Sequence, residues 1–155
     1  MKRKKVIIFD IDGTICNCEK RRKAAMGGKA FDKKGFNWAV FFDEDFIIKD
    51  KIFKQTAQMY DLLKYKYDVY FLTGREDRFR ELTEKWFKKH KITGYKALYM
   101  RTTGDYRPDT EIKKELFDKH FKKKDIFLLF DDRDCMVKLW RDMGMTCFQV
   151  AEGEF

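Results

Sequence analysis

Asp10 and Asp12 stand two residues apart in Phe9-Asp10-Ile11-Asp12-Gly13-Thr14, directly after the apolar run Val6–Phe9. Carboxylates at this spacing can divide the work of a phosphoryl transfer. One attacks phosphorus, and the other donates a proton to the leaving oxygen and later activates water. Thr73-Gly74-Arg75 follows the apolar run Val69–Leu72, and Asp131-Asp132-Arg133 follows Ile126–Phe130. Thr73 can hydrogen-bond a non-bridging phosphoryl oxygen, a lysine can offset its charge, and Gly13 lets the backbone turn close to the phosphate. Carboxylates gathered in one place repel unless a hard divalent cation sits among them. Mg²⁺ prefers one or two carboxylates with waters and a substrate phosphate. Taken singly, Asp-Gly-Thr reads as a turn and Asp131-Asp132 as a helix N-cap pair. All three motifs at successive strand ends, in one order, are not what turns produce.

The elements that must position these residues alternate along the chain. Val6–Phe9, Val69–Leu72, Ala97–Met100, Ile126–Phe130 and Thr146–Val150 are short continuous apolar runs, as expected of strands buried on both faces. Between them lie helical patterns. Ile52, Phe53, Met59, Tyr60, Leu62 and Leu63 form one face of a helix opened by Asp50 as N-cap. Phe79, Leu82 and Trp86 repeat at helical spacing, as do Ile112, Leu116 and Phe117, and then Val137, Trp140 and Met143, with Gly144 as the C′ glycine. This alternation predicts a parallel five-stranded α/β sheet with right-handed crossovers and helices on both faces. The ligand crevice then lies at the carboxyl ends of the strands. Residues 16–49 break the alternation and read as a small insertion over the top of the sheet, within a single domain covering residues 1–155.

The chain has 155 residues and a formal net charge of +9, which fits one domain and a polyanionic partner. Lysines spread over solvated helix faces would give the same charge. No apolar run approaches the roughly 20 residues that cross a bilayer, and the basic start lacks the apolar segment of a signal peptide. A soluble cytoplasmic protein is expected. Cys16, Cys18, Cys135 and Cys147 are therefore expected as free thiols, with Cys135 and Cys147 as small buried hydrophobes. Cys16 and Cys18 lie close to the Asp10 loop, where packing outweighs oxidant sensitivity. A zinc site is not expected, because His90 and His120 lie far from Cys16-x-Cys18 in sequence. Each histidine falls near a helix C-terminus and is given no role in the chemistry.

The ordered set of motifs resembles the haloacid-dehalogenase (HAD) superfamily of phosphotransferases. Asp10 to Thr14 match its first motif, Thr73 its second, Lys113 its third and Asp131-Asp132 its fourth. The C-terminal half adds Gly104-Asp105-Tyr106-Arg107, Trp140-Arg141-Asp142-Met143-Gly144 and Gln149-Val150-Ala151-Glu152-Gly153-Glu154-Phe155. With these, the chain resembles the phosphatase domain of bacteriophage-type polynucleotide kinase–phosphatases, which remove 3′-phosphates from nucleic-acid ends with Mg²⁺. The resemblance implies Asp10 as nucleophile, through an aspartyl-phosphate, and Asp12 as general acid/base. It implies Mg²⁺ held by Asp10, the Asp12 backbone carbonyl and Asp131 or Asp132. It further implies phosphate contacts from Thr73, Gly74, Arg75 and Lys113, an acidic position at Asp105, and a basic substrate-binding position at Arg21 or Arg22. A kinase loop is not matched: Gly27-Gly28-Lys29-Ala30 lacks the first glycine and the final hydroxyl residue. No kinase activity is expected, and a separate kinase or ligase partner is.

The insertion of about 34 residues is a modest lid, open enough for a polymer end. Lys20-Arg21-Arg22-Lys23, with Arg75, Arg78, Arg101 and Arg107, would form a basic rim for a phosphate backbone. Trp38, Phe41 and Phe42 can stack on a terminal base, although packing of the lid is the expected use of each. The expected substrate is therefore a DNA or RNA 3′-phosphate end. A nucleotidase or small-molecule phosphatase of the same chemistry is the nearest alternative, and a non-catalytic nucleic-acid-binding module the next.

Overall fold

The computed structural model describes residues 4–29, 32 and 34–153; Ala30 of the glycine fragment and Glu154-Phe155 of the C-terminal motif lie outside them. In chain order the first half holds β1 (Val6–Phe9), β2 (Cys16–Asn17), α1 (Glu19–Met26), α2 (Trp38–Phe41), α3 (Glu44–Lys49), β3 (Lys51–Ile52) and α4 (Lys54–Leu63). The second half holds β4 (Asp68–Glu76), α5 (Arg80–Lys89), β5 (Leu98–Arg101), α6 (Asp109–His120), β6 (Ile126–Asp131), α7 (Asp134–Asp142) and β7 (Cys147–Gln149).

The five expected strands pair in parallel in the order β5-β4-β1-β6-β7. The chain runs outward from β1 through β4 to β5, then returns to the other side of β1 for β6 and β7. That reversal places a crevice beside the end of β1, between the ends of β4 and β6. Alternate strand residues face opposite layers. Ile7, Phe9, Val69, Phe71, Leu128 and Phe130 pack with Tyr60, Trp86 and Phe87 of α4 and α5. Val6, Ile8, Leu72 and Leu129 pack with Phe117, Met136, Val137 and Trp140 of α6 and α7. Both faces of the sheet are covered around β1, β4 and the end of β6, which explains why these strands read as unbroken apolar runs, whereas the edge strand β7, expected to be buried on both faces, exposes Phe148.

The insertion rises on a stem formed by β2 and β3, paired antiparallel with Cys16 opposite Ile52. It has a small core of its own, Cys18, Ala25, Phe36 and Phe41. Because Lys51 and Ile52 are taken up in the stem, α4 cannot begin at Asp50. The expected N-cap is thus corrected: α4 starts at Lys54 after Phe53, and Asp50 closes α3 instead. The apolar face assigned to this helix is also narrower than expected. Thr56 and Tyr60 are buried, whereas Leu62 is 71% exposed, because six apolar residues spread over more than one face. Gly144 follows α7 with φ of 76°, as expected of a C′ glycine. Cys16, Cys18 and Cys147 are buried, but Cys135 is exposed in the first turn of α7, which corrects its expected burial. No helix among the described residues is long and apolar enough to cross a membrane.

Candidate active site

Asp10 follows β1 directly, and its N–H donates to the Phe130 carbonyl at 2.9 Å, so strand pairing fixes its backbone. The chain then turns sharply. The N–H groups of Thr14, Ile15 and Cys16 all point to the Ile11 carbonyl, at 3.1, 3.0 and 2.9 Å. Gly13 permits this turn with φ of 85°, and the Asp132 carboxylate occupies the place a Cβ would take. The turn carries the Thr14 hydroxyl to 3.1 Å from Asp132 Oδ1 and 3.4 Å from Asp10 Oδ2. The end of β6 supplies Asp131 and Asp132. Carboxylate oxygens of Asp10, Asp131 and Asp132 lie within 4.8 Å of one another, and all three residues are buried.

Lys113, in the second turn of α6, reaches this cluster. Its Nζ is 2.8 Å from Asp10 Oδ1 and 3.0 Å from Asp131 Oδ2. Burial alone would lower the ammonium pKa, but Asp10, Asp131 and Asp109 more than reverse this and keep Lys113 charged. One ammonium does not balance three carboxylates. Burial pushes the Asp10 carboxyl well above its ordinary value; Lys113 opposes that push, and the charges of Asp131 and Asp132 add to it. Burial, followed by the charge of Asp131, raises Asp132 to about 7. The cluster is short of positive charge and consists of hard oxygen donors, the donor set that suits Mg²⁺.

Asp12 is held apart from this cluster. Arg75 donates to it through Nη2 at 2.6 Å and Nε at 3.2 Å, and Arg21 donates through Nη2 to the same Oδ1. Burial would raise the Asp12 carboxyl, but the two guanidinium groups more than reverse it and hold the group below the ordinary carboxylate range. Arg75 is anchored by Thr83, whose hydroxyl accepts from Nη1 at 2.9 Å and donates to the Phe79 carbonyl at 2.8 Å. Of the two basic candidates after the first motif, Arg21 is buried against Asp12 and Asp50, whereas Arg22 faces outward and pairs with Glu19. A second group, Asp12 with Cys16 and Asp50, is also compact. Its carboxylates already accept from Arg21 and Arg75, so it has no charge left for a cation to balance.

Thr73 is buried inside β4, which continues to Glu76 with an irregular register after Thr73, and its hydroxyl accepts from the Arg75 N–H at 3.2 Å. Gly74 has no room for a Cβ, because the Asp109 carboxylate packs there. Sequence reasoning missed Asp109. It opens α6 one turn before Lys113, so that i, i+4 spacing was the available signal. It accepts from Arg101 at 2.6 Å and Arg133 at 2.9 Å. Asp105, taken from the sequence as the acidic position, instead chelates Arg107 at the surface and is not brought to the cluster. The expected basic rim is likewise already partnered. Arg78 pairs with Glu76, Arg101 with Asp109, and Arg107 with Asp105 and Glu115. Arg21 and Arg75 point inward, which leaves Lys20 and Lys23 as the exposed part of the cluster at 20–23.

Residues 4–155 match the family described as the polynucleotide kinase PNKP phosphatase domain, of HAD type. A chain of the Pnkp1/Rnl/Hen1 RNA repair complex is 31% identical, with a TM-score of 0.77 over 100% of this chain and 46% of that one. A bifunctional polynucleotide kinase/RNA ligase of Autographa californica nuclear polyhedrosis virus is 28% identical over 150 residues, 95% of this chain and 19% of the viral protein. The chain thus spans less than half the length of either relative. The HAD-hydrolase YfnB of Bacillus subtilis, in a structure bound to magnesium, shares the fold, with a TM-score of 0.64 over 97% of this chain and 94% of that one at 13% identity.

Proposed function

The chain belongs to the PNKP phosphatase-domain family of the HAD fold, and on that premise we propose that it removes 3′-phosphates from DNA or RNA ends through an aspartyl-phosphate on Asp10. One observation carries the reading: two carboxylates two residues apart are placed in opposite environments. Asp10 stands with Asp131, Asp132 and Lys113, and Asp12 stands between two arginines. Asp10, Asp131 and Asp132 would hold Mg²⁺, with the Asp12 backbone carbonyl as a further ligand. The ion would neutralise charge on the transferring group and on the crowded acids.

Lys113 holds Oδ1 of Asp10 and leaves the carboxylate oriented for attack. An Asp10 oxygen attacks phosphorus, the bond to the 3′-oxygen breaks, and Asp12 gives that oxygen its proton. Water then attacks phosphorus, Asp12 takes the water's proton, and the bond to Asp10 breaks to release phosphate. The arriving phosphate monoanion competes with Asp12 for the guanidinium groups of Arg21 and Arg75, and Asp12, so released, takes from it the proton that it then gives to the leaving oxygen. Thr73 and Gly74, in the C-terminal half of β4, line the approach. The whole chain is read as one phosphatase domain with residues 16–49 as its cap. A kinase or ligase acting on the same ends, of the kinds named in the relatives above, completes an end-repair reaction.

The cap also bears on the polymer. Phe41 is buried, as expected, but Trp38 is 46% exposed, which departs from the packing role expected of it. Its ring lies nearly parallel to Phe42, which lies nearly parallel to Phe79, with interplanar angles of 18° and 17°. A half-exposed indole braced in this way suits a nucleobase. Trp38→Ala is expected to lower kcat/KM on a 3′-phosphorylated oligonucleotide by roughly 5- to 100-fold and to lose far less on p-nitrophenyl phosphate. Steady-state kinetics on both substrates provide the check, and equal losses would remove the stacking role. The proposal itself is tested with a panel in Mg²⁺: 3′-phosphorylated DNA, 3′-phosphorylated RNA and free mononucleotides. A preference for the oligonucleotides is expected. A preference for mononucleotides would make the protein a nucleotidase.

A further inference from the structure

We propose that the amino ends of β4, β1 and β6 form a second nucleic-acid surface, which holds the phosphate backbone of the substrate at the pole of the sheet opposite the crevice. The inference rests on the reading of the substrate as a polynucleotide. The net charge of +9 suits a polyanion, yet Arg21, Arg75, Arg78, Arg101 and Arg107 near the crevice are engaged by carboxylates of the protein itself. Positive charge without such partners collects at the other pole. Lys4 and Lys5 lead into β1, Lys66 into β4, and Lys122, Lys123 and Lys124 into β6. All six are exposed, and none pairs with a carboxylate among the described residues. Three acids flank them. Asp61 and Asp68 pair with Lys64 and Lys96, and Asp125 is one charge against six.

The three loops make one surface because β4, β1 and β6 are neighbours in the sheet. Lys4 Nζ donates to the Tyr65 carbonyl at 3.0 Å, and Lys5 Nζ donates to the Lys124 carbonyl at 2.6 Å, so the lead-in to β1 is tied to the loop on either side. An ammonium has three donors, and each of these keeps two for a phosphate. β1 separates Lys5 from Asp10 by about 17 Å of extended chain, so this surface is distinct from the crevice. Lysines alone would make a solvated face. Aromatic rings among them set this pole apart. Tyr65 is 76% exposed and Phe127 50%. The pairing of β1 with β6 slips after Val6, from Ile126 to Leu128, which leaves Phe127 without a partner on β1. Its ring stacks on Tyr67 at 4.7 Å with an interplanar angle of 13°, and Lys66 Nζ lies 5.7 Å from the Tyr67 centroid. A solvated face gains nothing from a half-exposed phenyl ring. A nucleic acid uses both parts, the ammonium groups on its phosphates and the rings on its bases.

The triple variant Lys66→Gln, Lys122→Gln and Lys124→Gln removes charge here without touching the crevice. An unphosphorylated single-stranded oligonucleotide of about 16 nucleotides is the probe, followed by fluorescence anisotropy across a salt series. Its binding is expected to weaken, and the slope of log K against log salt to flatten by about 2. On the same oligonucleotide with a 3′-phosphate, kcat/KM is expected to fall as well. Turnover of a 3′-phosphorylated dinucleotide, too short to reach from the crevice to this pole, is expected to match the wild type. Tyr65→Ala keeps every charge and is expected to weaken binding at least about 5-fold at an unchanged slope. A control triple variant, Lys85→Gln, Lys88→Gln and Lys91→Gln, removes equal charge on and just after α5 and is expected to leave the slope near that of the wild type. An unchanged slope in the first triple variant, or equal flattening in both, would overturn the proposal. Undiminished binding by Tyr65→Ala would overturn it too, since charge without stacking fits an acidic protein as well as a nucleic acid. The substrate reading fails separately. Wild-type preference for mononucleotides would refute it, whereas flattening confined to the first triple variant, with weaker binding by Tyr65→Ala, would still support a nucleic-acid surface at this pole.

Discussion

Asp10→Asn is expected to lower phosphate release from a 3′-phosphorylated oligonucleotide by at least about 10⁴-fold, because an amide oxygen cannot replace the attacking carboxylate. The same change should not cost stability in metal-free protein. Burial and the charges of Asp131 and Asp132 already disfavour the ionised form of Asp10, so a neutral amide of equal size fits the site at least as well. Lys113 keeps Asp131 as a partner at 3.0 Å. Steady-state kinetics with Mg²⁺ and thermal melting in a chelator check the two halves together. An Asp10→Asn protein that folds and retains substantial turnover would exclude Asp10 as the nucleophile. A folded but inactive protein is the expected outcome.

Lys113→Met is expected to lose activity and stability together. The ammonium is buried between Asp10 and Asp131, at 2.8 and 3.0 Å, and removing it leaves these two buried carboxylates without that partner and with Asp132 beside them. Breaking a buried pair from one side costs about 3–5 kcal/mol. For a chain of this size that corresponds to a fall in Tm of roughly 6–20 °C in metal-free protein. Mg²⁺ should restore more of the melting temperature in Lys113→Met than it adds to the wild type, because the ion supplies positive charge at the same oxygens. Melting curves with and without Mg²⁺ measure both effects. A metal-free variant as stable as the wild type would mean that the acids do not depend on Lys113, and the electrostatic account of the cluster would have to change.

The parts of this site that could be read in the sequence are those where chemistry and strand ends coincide. Asp10, Thr73 and Asp131 each follow an apolar run, so the order of strands in a parallel sheet is enough to bring them to one edge. Lys113 became legible through the resemblance to a known set of motifs. What stayed hidden depends on which way a side chain turns. Glu19–Met26 carries no apolar stripe, so nothing in it tells that Arg21 faces inward and Arg22 outward. Asp50 precedes an amphipathic stretch, which is also how an N-cap looks. Its true partner lies 29 residues earlier, and only the two-residue strands of the cap stem bring the pair together. Asp105 and Asp109 are equally acidic, and the start of α6 at Asp109 decides between them by placing Asp109 one helical turn before Lys113. Leu62 and Thr83 invert the burial their polarity suggests: Leu62 lies on the solvent side of α4, and Thr83 is buried because its hydroxyl is satisfied by Arg75 and the Phe79 carbonyl.

The covalent intermediate is the most direct test of the chemistry. Protein quenched during turnover of a 3′-phosphorylated oligonucleotide can be reduced with borohydride, which converts an aspartyl-phosphate to homoserine, and its peptides can be mapped by mass spectrometry. Homoserine at position 10, formed only with both substrate and Mg²⁺ present, is the expected result. Continued turnover with aspartate intact at position 10, or homoserine at another aspartate, would contradict it.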